Sequence, residues 1–408
     1  MRVLHVLASL SPRTGGPSNV LGLARALVRQ GLEVTVCSTD LDETGTWLPW
    51  HPPQRISPAR QRRSPDEGVE VRFFRANWPS RFGCSWTMAG WLARHIPDYD
   101  IVHIHSLYLF HGLIAGHLCR RAGVPYVIRP HGTLDEYHRR HHRLRKRVYD
   151  WLIESRNISG AAALHYTSKA EQHDAVAAGV RNRGFVVGLG VDVSEYLSGL
   201  DQGLFRASKP ELQQKRLIVF LGRVTPKKGL DLLIPAFAEV SQAVPDVHLV
   251  LAGPDDEGYA AVVRDLIAKY GVGEQVTWAG LVTGKLKVAL LSDADAWVLP
   301  SYDENFAVAA VEAMAAGAPI VITDRVGIHE QVSRAQAGLV VEPTVAAVRD
   351  GLLALLQDEN ERRAMGERAR RLALTEFSWD TIAAALLREY QALRSPPSQR
   401  ASAPSLAH

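Results

Sequence analysis

Short apolar runs and helically spaced apolar residues alternate along most of this chain. Arg2 to Leu7, Glu33 to Ser38, Val69 to Phe74, Ile101 to His105 and Tyr126 to Ile128 read as buried strands. The stretches between them, Val20 to Gln30 for one, carry apolar residues at helical spacing. The rhythm returns with Leu217 to Leu221, His248 to Ala252, Val276 to Ala279, Ala296 to Leu299 and Pro319 to Thr323. Strands that alternate with helices predict parallel, doubly wound sheets, here two of them. The expected organisation is a first Rossmann-like domain over 1–195, a linker region over 196–214 where strand-like hydrophobicity lapses, and a second domain over 215–375. A hinge in the linker would let the domains close. Residues 41–66, rich in Pro, Arg and Trp, read as a long insertion, and 395–408 as a disordered polar tail.

Composition narrows the class. A chain of 408 residues, 46% hydrophobic, exceeds the usual size of one core and favours two domains. No apolar run reaches the ~20 residues of a membrane span. Val3 to Leu10 is too short, and too closely followed by Gly15-Gly16, for a secretory signal, so a cytoplasmic location is expected. Cys37, Cys84 and Cys119 are scattered and suggest neither a disulfide framework nor a zinc site. A net charge of +4 does not imply nucleic acid. Its distribution says more: His138 to Arg147 holds six Lys/Arg and no acid, and leads into Val148, Trp151, Leu152 and Ile153. A basic helix over 138–153 with an apolar edge suits anionic lipid headgroups on the inner face of a plasma membrane, and it equally suits a solvated face. Aromatic residues for base stacking are not interleaved in it, which argues against nucleic acid.

The most informative stretch runs from Pro300 to Pro319. Glu304 and Glu312, eight residues apart, span the start of an Ala-rich helix that Gly317 and Pro319 stop. Asp303 to Asn305 offer cap chemistry. The free amides and positive dipole end of such a helix suit an anion, and the helical rise puts Glu312 about 12 Å further along. A nucleotide sugar has that shape, with hydroxyls for Glu304, phosphates for the helix start at Asn305, Phe306, Ala307 and Val308, and a ribose diol for Glu312. Ordinary first-turn acids are the plainer alternative. Arg223 and Lys228 flank a turn after the first strand of the second half, where their donors suit diphosphate oxygens; Lys227 beside them is expected to face solvent. Gly15-Gly16 follow the first strand, where a backbone without Cβ atoms can approach a phosphate or an acceptor, or simply turn. His131, at the end of another strand, can hold a sugar hydroxyl, and His105 with Ser106 can line an acceptor pocket; each can also be an unremarkable residue. Asp293-Ala-Asp295 has the shape of a carboxylate pair for Mn²⁺ or Mg²⁺ but precedes its strand, at the wrong sheet edge. Glu304 and Glu312 lie too far apart along their helix to hydrolyse a glycoside.

In order along the chain stand Gly15-Gly16, Pro130-His131-Gly132, Gly190-Val191-Asp192, Gly222-Arg223 to Lys228-Gly229, and Glu304 to Glu312. This series resembles the landmarks of retaining glycosyltransferase family 4, whose signature is two Glu separated by seven residues. The resemblance implies the GT-B fold, two Rossmann-like domains facing a central cleft, with a last helix over 376–394 crossing back to the acceptor-binding first domain. It implies transfer of a sugar from a nucleoside diphosphate sugar to a hydroxyl of a saccharide or lipid-linked acceptor, with retained configuration, in bacterial cell-surface or exopolysaccharide biosynthesis. It also implies that no metal and no cofactor are needed, with Arg223, Lys228 and the helix dipole in the ion's place. His131, Glu304, Arg223 and Lys228 take the catalytic positions of the family, and base recognition falls to backbone near Gly253 and Leu281. Asn305 and Ala307 stand where glycine is commoner, and Leu189 where Asn is, which makes the donor sugar harder to infer than the fold. Two rivals are a nucleotide-sugar 2-epimerase of the same fold, which would need no acceptor, and a non-catalytic nucleotide-sugar or membrane-binding module.

Overall fold

The computed structural model describes residues 1–10, 15–41, 61–63, 68–78, 82–134, 154–197, 203–255 and 257–394. The basic run 138–153, most of the 41–66 segment and the 395–408 tail fall outside them. The chain forms two compact units, Met1–Gly190 joined by Trp379 onward, and Val191–Ser378.

The first unit is built on β1 (Arg2–Val6), β2 (Glu33–Thr39), β3 (Gln61–Arg63), β4 (Glu70–Phe74), β5 (Ile101–His105), β6 (Tyr126–Arg129), β7 (Ala163–Tyr166) and β8 (Gly184–Val186). Their order is β3-β4-β2-β1-β5-β6-β7-β8, parallel except for β3, which runs antiparallel along β4. β3 lies in the stretch expected as an insertion, and that part of it is an edge strand instead. β7 and β8 were not expected, because three or four residues are too few to show a period. One face of the sheet packs on the Gly15–Arg29 and Trp379–Arg394 helices through Val3, Ile101, Val127, Ala163, Leu23 and Leu386. In a parallel sheet, residues in register share a face. His5 therefore lies beside His103, and His105 beside Arg129, so the same face turns from apolar to polar toward the carboxyl ends of the strands.

The helix that begins at Trp379 is held by close fit. A Cβ on Gly22 would stand 2.4 Å from the Trp379 indole, and one on Gly190 would stand 2.5 Å from it. The glycine of the Gly190-Val191-Asp192 landmark is there to admit this ring.

The second unit has six parallel strands, β9 (Arg216–Leu221), β10 (Val247–Ala252), β11 (Val276–Gly280), β12 (Ala296–Leu299), β13 (Ile320–Thr323) and β14 (Gly338–Val341), in the order β11-β10-β9-β12-β13-β14. β14 was also not expected. The stretch read as a linker carries the short helices Ser194–Leu197 and Leu204–Ala207, with Tyr196, Phe205 and Leu212 buried. Asp293 and Asp295 serve this packing. Asp293 accepts from the Gly203 amide at 2.7 Å, and Asp295 from the Leu217 amide at 2.9 Å and from Arg206 at 3.3 Å. All three cysteines are buried and free, and no described helix is long and apolar enough to cross a membrane.

Gly22→Val tests the seat of Trp379. Overpacking of this kind costs about 1–3 kcal/mol, so thermal unfolding should show a lowered midpoint; an unchanged midpoint would refute the close fit.

Candidate functional site

An open parallel sheet offers a ligand crevice beyond the carboxyl ends of its strands, at the point where the strand order reverses. In the second unit the reversal lies between β9 and β12, and the loops that leave these strands are 222–229 and 300–307. They are knotted together. The Lys227 carbonyl accepts from the Ser301 hydroxyl at 2.7 Å and from the Tyr302 amide at 2.9 Å. Gly229 has φ 70°, and a Cβ there would lie 1.9 Å from the Pro300 carbonyl oxygen, so only glycine lets the two loops meet. The Glu304 amide donates to the Arg325 carbonyl at 3.1 Å and its own carbonyl accepts from Gly327 at 2.7 Å, which fixes the backbone of the acid.

Within this frame the Lys228 ammonium donates to Glu304 Oε2. Burial alone would raise the Glu304 carboxyl, but Lys228, then Lys227 and Arg223, outweigh it and hold the group below its ordinary value. Glu304 is thus a carboxylate at neutral pH, bonded to Lys228 and in the field of two further cations. Lys227 is not simply a solvent-facing residue: its ammonium lies 3.8 Å from Asp303 and its carbonyl is the knot.

The helix after Glu304 starts later than the sequence suggests. It spans Val308–Ala316, with Ala307 as its N-cap at φ 66° and no side-chain cap. Asp303 to Asn305 do not cap it, because the Glu304 backbone is committed to the 325–327 turn and Phe306 is packed edge-on against Phe377, 5.6 Å between ring centroids. The ~12 Å spacing of an uninterrupted helix therefore does not apply to Glu304 and Glu312, nor does distance along one helix separate them. At the helix start the Ala310 amide donates to the Ala307 carbonyl at 3.0 Å, which leaves the Val308 and Ala309 amides outside the intrahelical bonds. Ala307 holds a left-handed conformation that glycine adopts more easily, a constraint beyond the bulk of its methyl. Glu312 accepts from Lys287 at 2.6 Å. Lys287 had no sequence signal, since it lies on another helix, Gly284–Ser292. Tyr196, 1% exposed, is raised by burial and by Glu312, and its hydroxyl has no partner among the described residues.

In the first unit the reversal lies between β1 and β5. Gly15 and Gly16 open the helix that follows β1. Ser106 (φ 72°) and His131 (φ 56°) sit just past β5 and β6 in left-handed conformations. Glu171 pins the second turn: its Oε1 accepts from the Gly132 amide at 2.7 Å and its Oε2 from the Thr167 amide at 2.7 Å. His105 does not line an open pocket. It is 2% exposed, with Nε2 at 2.9 Å from His5 Nδ1 and Nδ1 at 3.2 Å from His131 Nε2. Burial keeps the His5, His105 and His131 rings neutral, and Arg129 adds to it in each. His5, His103 and His165, also in this layer, were missed; the alternation His103-Ile-His105 was their one visible sign.

Family models match the chain in two pieces, a glycosyl transferase 4-like domain over residues 14–190 and glycosyl transferases group 1 over residues 201–372. The chain belongs to glycosyltransferase family 4. Its fold is GT-B. A D-inositol 3-phosphate glycosyltransferase of Nocardia farcinica is 29% identical over 406 residues, covering 95% of this chain and 88% of the relative. A GDP-mannose-dependent alpha-(1-6)-phosphatidylinositol monomannoside mannosyltransferase of Mycobacterium tuberculosis is 32% identical over 210 residues, covering 47% of this chain and 54% of the relative. Among solved structures, HepE of Anabaena in complex with UDP and glucose superposes with a TM-score of 0.74 at 19% identity, over 96% of this glycosyltransferase and all of HepE.

Lys228→Met removes the main partner of the Glu304 carboxylate. In the wild type this carboxylate, depressed when folded, stabilises the protein above the unfolded Glu value and loses that effect as pH falls through the folded value. In the variant burial dominates and the carboxyl rises. The melting temperature should therefore fall more, relative to wild type, at pH 7 than at pH 4; an equal loss at both would contradict the pairing.

Proposed function

We propose that this glycosyltransferase moves a sugar from a nucleoside diphosphate sugar to a hydroxyl of a saccharide or lipid-linked acceptor, with retention of configuration and without a metal ion. The observation that carries the reading is the grouping of Arg223, Lys228 and Glu304 at the strand reversal, beside an uncapped helix start. The diphosphate would lie against the 308–316 helix, where first-turn amides and the positive dipole end favour an anion. Lys228 has three donors, so the bond to Glu304 leaves two for phosphate oxygens. Together with Arg223 it would supply the positive charge that a divalent ion provides elsewhere, and it would act most strongly as charge develops on the leaving phosphate. Glu304 would accept from hydroxyls of the donor sugar, and Glu312, oriented by Lys287, from the ribose.

In the transfer the bond from the anomeric carbon to the phosphate oxygen breaks and a bond to the acceptor oxygen forms on the same face. The acceptor's hydroxyl proton passes to the departing phosphate. Acceptor binding is assigned to the first unit, near Ser106 and His131. Relatives are named for GDP-mannose and a structural neighbour was solved with UDP, so the donor panel must include both bases. The relatives' names carry inositol 3-phosphate and phosphatidylinositol monomannoside, so the acceptor panel must include both a soluble inositol phosphate and an inositol lipid.

The test is an NMR assay of nucleotide sugars in EDTA, following donor loss with and without glycoside, inositol phosphate and inositol lipid acceptors. Metal-free transfer giving an axial product from an axial donor is expected. An equatorial product would overturn retention, an absolute need for a divalent ion would overturn the role given to the cations, and interconversion of donors without acceptor would point to an epimerase. Arg223→Ala and Lys228→Ala should each lower kcat/KM by roughly 10²-fold or more; near-normal turnover in both would remove the site assignment.

A further inference from the structure

The polar layer of the first unit contains more histidine than a single contact with a sugar requires. His5, His103 and His105 bring ligand atoms within 4.8 Å of one another, but the layer is not built for a cation. The His103 and His105 rings are nearly parallel, 19° apart with centroids at 4.6 Å, so their in-plane lone pairs run side by side instead of converging. Arg129, 1% exposed, also puts a fixed positive charge in the same layer. The geometry is that of hydrogen-bonded wires, and the proton positions in them can be worked out from their ends.

One wire ends on a carbonyl. His165 Nε2 lies 2.7 Å from the Val187 oxygen and must donate to it, so its Nδ1 is bare. That nitrogen faces His103 Nε2 at 3.4 Å, which therefore carries the proton, and His103 Nδ1 accepts from the Tyr390 hydroxyl at 2.6 Å. His111 is set in the same way. Its Nε2 donates to the His105 carbonyl at 2.6 Å, which leaves Nδ1 bare and without a partner. This layer thus already holds one unpaired bare ring nitrogen.

The second wire runs from His5 Nδ1 to His105 Nε2, and from His105 Nδ1 to His131 Nε2. Its inner end, His5 Nε2, is buried with no partner among the described residues. If the protons pointed inward, that atom would be an unpaired N–H in the field of the Arg129 charge. If they point outward it is a bare lone pair, which the charge favours and which His111 already exemplifies; buried donors without partners are the rarer defect. The outward sense is then fixed: His5 Nδ1–H donates to His105, and His105 Nδ1–H donates to His131 Nε2. We propose that His5 and His105 are positioning residues that hold His131 as its Nδ1–H tautomer, so that it offers the acceptor a donor and has no lone pair with which to take a proton. This rests on the reading of His131 as a residue of the acceptor site. It extends that reading by giving His131 a donor's role toward a hydroxyl oxygen of the acceptor and by excluding it as the base that takes the acceptor's proton.

Long-range ¹H–¹⁵N correlation spectra of the full chain labelled in histidine give the tautomer directly, with the His131 signals assigned by their loss in His131→Asn. A wild-type His131 protonated at Nδ1 and bare at Nε2 is expected at pH 7.5. An Nε2–H pattern, or one averaged between the two, would overturn the proposal. His105→Phe keeps an aromatic ring at the position and removes both nitrogens. His131 should then average its tautomers, and kcat should fall about tenfold, the worth of one hydrogen bond, with the donor KM little changed. If His105→Phe does not fold, the wild-type spectrum still decides. Undiminished transfer by His131→Asn would instead sink the reading of His131 as a site residue, whatever its tautomer. A crippled His131→Asn beside an Nε2–H wild type would sink only the wire.

Discussion

Where the strand order of a parallel sheet reverses, the two loops on either side of the reversal depart in opposite directions and leave a gap that no helix fills. The chemistry of this glycosyltransferase depends on that constraint. In the second unit the gap is bridged by backbone, the Lys227 carbonyl accepting from Ser301 and Tyr302, so the side chains of Lys228 and Glu304 are free to face a ligand. Both residues are placed by bonds to the main chain of their neighbours, at Lys227, Arg325 and Gly327. That is a cheap way to hold charged groups in position, because backbone bonds of this kind are unaffected by the protonation of the groups they position.

The first unit solves a different problem with the same geometry. Its central strands β1, β5, β6 and β7 are buried on both faces, yet their ends carry His5, His103, His105, Arg129 and His165 on one of them. A buried charge such as Arg129 must be matched, and Glu171 opposes it electrostatically while its oxygens are filled by the Gly132 and Thr167 amides. Neutral imidazoles suit the remainder of the layer, since each supplies one donor and one acceptor and joins its neighbours in chains. The Val187 and His105 carbonyls and the Tyr390 hydroxyl at the ends of these chains leave few proton arrangements open to the layer.

Much of this was legible in advance. Ten strands, the two sheets and the family landmarks follow from apolar runs and from the order of short motifs, and both are local in sequence. What escaped is non-local. The strands β7, β8 and β14 are too short to declare a period, and β3 is defined only by its partner β4. The late start of the 308–316 helix depends on a turn at 325–327 that claims the Glu304 backbone, so no reading of 303–305 alone would find it. Lys287 and His5 are ordinary residues in their own surroundings and acquire roles only through Glu312 and His105.

The seat of Trp379 between Gly22 and Gly190 has a consequence for how the chain is made. The second unit is continuous in sequence, 191–378, so all its parts leave the ribosome before the last helix does. The first unit is assembled from two pieces nearly two hundred residues apart. Its core needs Leu386 and Tyr390, which are among the last described residues. During synthesis the half that appears first is therefore the half that finishes second: the sheet of histidines waits with one face only partly covered, by the Gly15–Arg29 helix, until the polypeptide returns to close it.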